Sequence, residues 1–377
     1  MTARPVIVLE ALSVRNEPTG VAGSARELIM ALAARERGFD FVVVAGDGTA
    51  FADLADLPDW SVRTAGAAGV GRREWARQVF VPAVCRRVDA ALVHALQPVA
   101  PWAAPCPVVL TVHDLVWRTL PHVIAQPRRA WLRAAVPFSL ARAHLLLANS
   151  RATASALATA FPRLATRVRE VPFGTPGWAL AGAGPAPPRA GRDFFLFVGT
   201  IEPRKNLPRL LDAYEILLAR TAGEAPDLCL AGPPGWGLGP VMERLARPSL
   251  AERVRLTGWC EPEALRVLYG TALALVFPSL DEGFGLPVLE AMGSGLPVLT
   301  ADRGATAEVA GGDALLVDPD DTIAIVDGMA RLARDPALRA RLAAAGRRRA
   351  AAWTWTRTAD LTAAAYAEIA APAAARK

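Results

Sequence analysis

The sequence predicts an α/β protein built from two consecutive nucleotide-type domains, each a doubly wound parallel sheet. Short apolar runs alternate with helical segments over residues 6–148 and again over residues 194–317, and this alternation is typical of parallel sheets with helices on both faces. Between the two series, residues 179–192 are mostly Ala, Gly and Pro, with almost nothing to bury. At 377 residues the chain is also too long for one ordinary core.

In the first series we expect strands over residues 6–9, 41–45, 91–94, 108–112 and 145–148. The first strand should lead into a loop through Asn16, Pro18, Gly20 and Gly23, and then into a helix over about residues 25–37. Asn149-Ser150 is expected to cap the helix that follows the fifth strand. The second series predicts strands over residues 194–198, 228–231, 254–256, 273–277, 298–300 and 314–317, and helices over 206–218, 322–334 and 336–350. A last helix should follow the Trp353–Arg357 region and reach about residue 370.

The formal net charge is +6, which favours acidic small molecules or anionic lipid as partners. No basic stripe interleaves with aromatic residues, so nucleic acid is not expected. The four cysteines show no Cys-x-x-Cys spacing, which predicts reduced thiols and no metal site. Neither a signal peptide nor a membrane-spanning stretch is expected. We therefore predict a cytoplasmic protein, with peripheral contact on the inner face of the cell membrane as an option.

The strongest site signal lies in the stretch from Asp281 to Glu290. A buried strand precedes it, Gly283 and Gly285 form a loop, and Pro287 stands at the expected start of a helix. Exposed amides and a helix N-terminus at one point suit a phosphate or a sugar ligand. Glu282 lies in the loop and Glu290 about one turn inside the helix. The alternative is an acidic first turn that complements the helix dipole.

A second signal follows the strand at residues 194–198, where Gly199 leads to Arg204, Lys205 and Asn206. Two adjacent cations after a parallel strand can clamp a diphosphate. The alternative is a solvated pair, with Asn206 capping the next helix.

His113-Asp114 comes directly after the strand at residues 108–112, and His94 ends another strand. A histidine at this edge of a sheet faces the ligand-binding crevice. The alternative is a histidine satisfied by a local backbone bond. Asp318-Pro319-Asp320 resembles a metal-binding Asp-x-Asp, but Pro319 and the following Asp321-Thr322 predict a turn and a helix start. No bound metal is expected.

Glu282 and Glu290 with seven residues between them, Arg204-Lys205-Asn206, the Gly20 loop and His113-Asp114 together resemble family 4 of the retaining glycosyltransferases. Residues 197–207 and 277–298 are similar to the mannosyltransferase-like branch of that family. Two departures are visible. The residues from Gly20 to Ser24 lack the branch's Arg-Tyr, and residues 303–308 replace its Ser-x-x-Pro-Glu.

The resemblance implies the GT-B fold, with two Rossmann-like domains, a deep inter-domain crevice and a C-terminal helix that crosses back to the N-domain. Residues 1–178 would bind the acceptor, 179–192 would be the linker, 193–352 would bind the nucleotide-sugar, and 353–377 would form the returning helix.

It also implies the roles of individual residues. Glu290 would hold the ribose hydroxyls and Glu282 the transferred sugar, while Arg204 and Lys205 would hold the diphosphate. His113 would contact the donor sugar. The remaining donor-binding positions would be Gly20, Gly199 and the amides of Phe284, Gly285 and Leu286.

The implied activity is metal-independent transfer of a hexose with retention, without a cofactor. Mannose from GDP-mannose is the favoured donor, and a glycan, glycolipid or secondary metabolite the acceptor, as in bacterial polysaccharide biosynthesis. A nucleotide-sugar epimerase, a phosphorylase and an inactive nucleotide-sugar-binding partner subunit are alternatives. A pyridoxal-dependent phosphorylase would need a buried Schiff-base lysine, and the chain has only Lys205 and Lys377.

Residues 127–137 suggest a lipid-linked acceptor and a docking helix. Arg129 and Arg133 would share one face, while Trp131, Leu132 and Ala135 form the neighbouring apolar side. The alternative is that Trp131 and Leu132 belong to the core face of this helix.

Overall fold

The computed structural model describes residues 4–14, 20–35, 38–66, 69–124, 126, 128–181 and 192–370. Asn16, Pro18, Pro127, Lys377 and most of the expected linker, residues 182–191, lie outside the described residues. The chain divides into two compact units. The first comprises Met1–Leu115, Ala130–Gly174 and Trp355–Lys377, and the second comprises Val116–Arg129 and Thr175–Thr354.

The α-helices of the described residues are, in chain order, α1 (Gly20–Ala33), α2 (Val70–Trp75), α3 (Val81–Arg87), α4 (Val116–Thr119), α5 (Arg128–Arg142), α6 (Arg151–Ala160), α7 (Gly177–Leu180), α8 (Leu207–Arg220), α9 (Gly239–Leu245), α10 (Pro248–Ala251), α11 (Pro262–Thr271), α12 (Leu286–Ser294), α13 (Gly304–Ala310), α14 (Thr322–Arg334), α15 (Pro336–Ala352) and α16 (Trp355–Ala370). Among them, none combines the length and the hydropathy needed to cross a membrane.

The first unit contains a parallel sheet in the order β3-β2-β1-β4-β5-β6-β7. Its strands are β1 (Val6–Ala11), β2 (Asp40–Ala45), β3 (Trp60–Thr64), β4 (Leu92–Ala95), β5 (Val108–Val112), β6 (Leu145–Ala148) and β7 (Val168–Glu170). The five apolar runs that the sequence predicts are the five inner strands. The expectation was incomplete at both edges, because β3 and β7 are half-exposed and do not appear as apolar runs.

The turn after β1 differs from the expectation. Helix α1 begins at Gly20 and ends at Ala33, so Gly20 is its first residue and Gly23 lies inside it. Gly20 has a φ of +39°, which glycine adopts without the strain that a Cβ adds. The glycines therefore start the helix, and the predicted loop through Gly23 is wrong.

Within the first unit, helix α16 is tied to β4 and β5 by a buried hydrogen-bonded chain. His94 Nδ1 lies 2.6 Å from the Tyr366 hydroxyl and His94 Nε2 lies 2.7 Å from Thr111 Oγ1. Burial lowers the pKa of His94 to about 3, so the ring is neutral at pH 7. His94 therefore anchors the C-terminal helix inside the core, and the expectation that it faces a crevice is wrong.

The second unit contains a parallel sheet in the order β10-β9-β8-β11-β12-β13. Its strands are β8 (Phe194–Val198), β9 (Asp227–Ala231), β10 (Val254–Gly258), β11 (Ala274–Phe277), β12 (Val298–Ala301) and β13 (Leu315–Val317). Phe197 and Phe277 stack with their ring centroids 5.6 Å apart. The strand order reverses between β8 and β11, and a reversal of this kind opens a ligand crevice at the carboxyl ends of the strands.

One predicted helix cap and one predicted helix start are confirmed. Ser150 accepts from the Thr153 amide at 3.0 Å at the start of α6. Asp321 caps α14 by accepting from the amides of Ile323 and Ala324.

We expect Tyr366→Phe to destabilise the first unit. The substitution leaves a buried nitrogen of His94 without its partner, which costs about 1–3 kcal/mol of unfolding free energy. Urea denaturation measures the change, with Ala364→Ser at an exposed position of α16 as the control. A variant as stable as the wild type would show that this bond does not anchor α16.

Candidate functional site

In the second unit, the loops that follow β8 and β11 are tied together. The Leu280 amide donates to the Arg204 carbonyl at 2.8 Å. Asn206 Nδ2 donates to the carbonyls of Pro278 at 3.1 Å and Pro319 at 2.7 Å. Asn206 has a φ of +61° and makes no capping hydrogen bond with α8. The alternative in which Asn206 caps the next helix is therefore wrong, and Asn206 instead joins the loop after β8 to the loops after β11 and β13.

Arg204, Lys205 and Glu282 meet in one ion-pair network at this point. Glu282 Oε1 lies 2.6 Å from Lys205 Nζ, and Oε2 lies 2.5 Å from Arg204 Nη1. Arg204 Nε also pairs with Glu202. Only 20% of the Arg204 side chain and 7% of the Lys205 side chain are exposed. The alternative of a solvated pair is therefore wrong.

Burial and mutual charge set the protonation of this network. Burial raises the pKa of Glu282, but Arg204 and Lys205 outweigh it and hold the pKa at about 2. Burial and the neighbouring Arg204 lower the pKa of Lys205, while Glu282 opposes them. Lys205 Nζ also lies 4.9 Å from the centroid of the Phe277 ring, which stabilises a cation. The carboxylate is ionised at neutral pH and is held by two donors.

Helix α12 begins beside the network. Its N-cap Gly285 has a φ of +104°, a value that favours glycine, and a Cβ there would lie 3.2 Å from Thr306 Cγ2. The helix begins at Leu286, so Pro287 occupies its second position rather than the predicted first position. The first amides of a helix have no intrahelical acceptor and attract anions. Phe284 is buried, with its ring centroid 5.6 Å from that of Trp353.

Tyr269 on α11 positions Glu290. Its hydroxyl donates to Glu290 Oε2 at 2.7 Å, and its side chain is buried beside Trp178, with the ring centroids 5.6 Å apart. Burial and the charge of Glu290 raise the pKa of Tyr269 well above 10, so the hydroxyl keeps its proton. Tyr269 was not among the predicted site residues, because nothing in the spacing of a helical tyrosine links it to a glutamate on another helix.

Gly199 follows β8 with a φ of +146°. A Cβ there would touch Lys205 Cε at 3.5 Å. A second glycine is needed beside it, since a Cβ on Gly232 would lie 2.1 Å from the Gly199 carbonyl oxygen. The two glycines thus allow their backbone segments to pack closely together beside the Lys205 side chain.

His113 lies in the first unit at the carboxyl end of β5, where the sequence places it. Its Nε2 donates to the Leu96 carbonyl at 2.9 Å, so the backbone satisfies this nitrogen as the alternative expected. Burial lowers the pKa of His113, and the ring is neutral at pH 7. A contact between His113 and a sugar stays a prediction.

The aspartates after β13 form a turn, as expected. The Asp320 amide donates to Asp318 Oδ1 at 2.8 Å, and the Asp320 carboxylate pairs with Arg209 at 3.1 Å and with Arg303 at 2.6 Å. Across the described ranges, no three His, Cys, Asp or Glu side chains lie together as a metal-binding group.

The fold and the site define a two-unit α/β protein with a buried ion-pair network beside a helix N-terminus at a strand-order reversal. Comparison with known proteins agrees with this class. The profile described as "Glycosyltransferase Family 4" matches residues 18–176, and the one described as "Glycosyl transferases group 1" matches residues 185–349.

Two curated relatives match part of this chain in sequence. An O-antigen chain mannosyltransferase B from Escherichia coli is 31% identical over 272 residues, which are 68% of this chain and 69% of that protein. A D-inositol 3-phosphate glycosyltransferase from Frankia alni is 37% identical over 190 residues, but these are only 48% of this chain and 47% of that protein.

A solved structure extends the likeness to the whole fold. The Anabaena protein HepE, crystallised with UDP-glucose, superposes with a TM-score of 0.69 at 18% identity and covers 95% of this chain and 98% of its own. The chain therefore belongs to family 4 of the glycosyltransferases, in the mannosyltransferase-like branch, and has the GT-B fold. It is a sugar-transferring enzyme.

We expect Glu282→Gln to change how stability depends on pH. A carboxyl whose folded pKa lies near 2, against 4.5 ordinarily, stabilises the fold above the unfolded pKa, and this contribution is lost as pH falls from 4.5 towards 2. The wild type should therefore lose unfolding free energy more steeply in that window than the variant. At neutral pH the variant should be less stable by about 3 kcal/mol, because two buried cations lose their partner.

Chemical denaturation between pH 7 and pH 2 measures both effects, with Glu243→Gln at an exposed position as the control. Parallel pH profiles for wild type and Glu282→Gln would contradict the depressed pKa.

Proposed function

We propose that the protein is a retaining hexosyltransferase that takes its sugar from a nucleotide-diphosphate donor, with GDP-mannose favoured. The observation that carries this proposal is the buried network of Arg204, Lys205 and Glu282 at the start of α12. Two cations, a helix N-terminus and a carboxylate at one point suit a ligand that joins a diphosphate to a hydroxyl-rich ring.

The network is close to electroneutral before the donor arrives, because Glu202 and Glu282 balance Arg204 and Lys205. Phosphate oxygens would take over donors that the carboxylates now hold, and the amides at the start of α12 would add further positive potential. As the sugar–phosphate bond breaks, negative charge grows on the leaving diphosphate. Arg204 and Lys205 would then bind the transition state more strongly than the ground state.

Retention follows from attack on the face that the diphosphate leaves. The acceptor oxygen forms a bond to the anomeric carbon, the bond from that carbon to the phosphate oxygen breaks, and the acceptor proton passes to a phosphate oxygen. The protein supplies position and charge in this scheme, and it needs no metal.

The two glutamates would divide the hydroxyl contacts. Glu282, once its donors turn to the diphosphate, accepts from hydroxyls of the transferred sugar. Glu290, which Tyr269 orients through Oε2, accepts from the ribose hydroxyls. Gly199, Phe284, Gly285 and Leu286 would line the donor with backbone groups.

The first unit would hold the acceptor, with His113 and the start of α1 at Gly20 directed at the donor sugar and diphosphate. The Escherichia coli relative is named for an O-antigen chain, which supports a glycan or lipid-linked acceptor. The Frankia relative is named for an inositol phosphate, so a free phosphorylated polyol is the competing acceptor class. A lipid-linked acceptor would bring the enzyme to the inner face of the cell membrane.

Incubation with radiolabelled GDP-mannose, UDP-glucose and TDP-glucose tests the proposal directly. We expect sugar transfer or slow donor hydrolysis with one donor, retention at the anomeric carbon, and full activity in excess EDTA. Lys205→Ala should lower kcat more than it raises KM, because its charge acts on the leaving group. Activity that EDTA abolishes and Mn²⁺ restores would contradict the scheme, as would turnover unaffected by the loss of Lys205.

The ribose contact makes a separate prediction. We expect Glu290→Ala to weaken binding of the parent nucleoside diphosphate by about 1.5–3 kcal/mol, roughly ten- to hundredfold. Tyr269→Phe should weaken it less, because the carboxylate stays but is no longer held in place. Calorimetric titration measures both, with the exposed Glu263→Ala on α11 as the control. Unchanged affinity in Glu290→Ala would remove Glu290 from the site.

A further inference from the structure

Helix α5 carries apolar residues on two opposite faces. Ala135, Val136, Ser139 and Leu140 are buried, and this is the face that packs on the first unit. Trp131, Ala134, Phe138 and Ala141 form an exposed stripe at helical spacing. The predicted apolar side of Trp131, Leu132 and Ala135 is therefore divided, because Ala135 is buried and Trp131 is exposed. The alternative that Trp131 belongs to the core face is wrong, since 42% of Trp131 is exposed.

Trp102 extends this stripe into an aromatic cluster. Its ring centroid lies 5.2 Å from that of Phe138 and 6.0 Å from that of Trp131. Its indole donates to Ser139 Oγ at 3.1 Å and its amide donates to Gln78 Oε1 at 2.9 Å. Three aromatic side chains are thus held together at the surface, and 55% of Phe138 is exposed.

Gln78 connects the cluster to the helical segment from α2 to α3. Its Nε2 donates to the Ala100 carbonyl at 3.1 Å. Beside it in sequence, Trp75 and Val79 are 59% and 49% exposed. We name Trp75, Val79, Trp102, Trp131 and Phe138 the aromatic surface.

The charges on the same two segments are mostly positive. Residues 70–87 contain five arginines and a single carboxylate, Glu74, and residues 128–142 contain four arginines and no carboxylate. Glu74 is paired with Arg77. Arg72, Arg86, Arg87 and Arg133 are exposed.

Two arginines that the sequence placed in a docking helix are engaged elsewhere, within the second unit. Arg128 lies over the Trp236 ring at 5.9 Å, and Arg129 Nη1 donates to the Pro121 carbonyl at 3.1 Å. Arg129 and Arg133 therefore do not form the lipid-binding face that the sequence predicts. The aromatic surface and its flanking arginines form a broader surface on the first unit instead.

We propose that the aromatic surface docks on a lipid bilayer that carries anionic headgroups. Exposed Trp and Phe side chains suit the boundary between headgroups and acyl chains, and the flanking arginines suit the negative surface potential. An exposed apolar cluster of this kind marks an interaction site rather than an ordinary solvated surface. The surface adds a partner to the proposed transferase, and vesicle binding does not depend on catalysis.

Co-sedimentation with vesicles tests the proposal, using phosphatidylcholine alone or mixed equally with phosphatidylglycerol. We expect the wild type to bind the mixed vesicles in low salt and to bind less in high salt. The double variant Trp131→Gln/Phe138→Gln should weaken binding about tenfold or more. Its control is Met242→Gln/Val267→Gln, which removes two exposed apolar residues of the second unit.

The charge variant Arg86→Gln/Arg87→Gln/Arg133→Gln should also weaken binding, while the matched Arg331→Gln/Arg341→Gln/Arg348→Gln should not. Wild-type protein that stays in the supernatant with mixed vesicles, or equal losses in test and control variants, would overturn the proposal. So would preferential binding of a single-stranded oligonucleotide that the same substitutions abolish. Thermal shift with the nucleoside diphosphate, measured on all variants, reports the donor site separately, so failure of the transferase proposal is distinguishable.

Discussion

The neighbouring positions of β8 and β11 are the constraint on which the site depends. These strands lie next to each other although about 75 residues separate them in the chain, and their following loops leave the sheet at the same edge. Arg204 and Lys205 come from one loop and Glu282 from the other. Without this reversal of strand order, Lys205 would lose Glu282 and Arg204 would keep only Glu202, and burying a cation unpaired would cost several kcal/mol.

The network is therefore structural, and in the proposed reaction it also binds the donor. Glu282 keeps the two cations charged in a buried setting, and the Leu280 and Asn206 hydrogen bonds hold the loops at a constant separation. Groups that are ordered before the ligand binds need little rearrangement when charge develops during reaction. In the proposed reaction, Glu282 gives up the hydrogen bonds from Arg204 and Lys205 when the diphosphate binds. The stability of this unit is therefore linked to the chemistry that we propose.

Burial decided which parts of the fold the sequence could predict. Inner strands such as β5 and β8 are buried on both faces, read as continuous apolar runs, and were predicted to the residue. The edge strands β3 and β7 face solvent on one side and carry no such signal. The loop residues Arg204, Lys205 and Glu282 follow apolar strands, so their meeting could be anticipated. Tyr269 and the side-chain bonds of Asn206 could not, because they depend on tertiary contacts between distant elements rather than on local spacing.

At the corresponding edge of the first sheet, the charged groups are buried and paired within the unit or are neutral. This contrast supports the proposal that the second unit binds the donor and the first unit the acceptor. There the strand order reverses between β1 and β4. Glu10 on β1 is fully buried 3.4 Å from Arg77, and burial raises the pKa of Glu10 although Arg77 opposes it. His94 and His113 are neutral and hydrogen-bonded within the unit. Under the proposed function, the two cations beside a helix N-terminus in the second unit suit a diphosphate, whereas the buried charges and histidines of the first unit are already paired or neutral and serve its core.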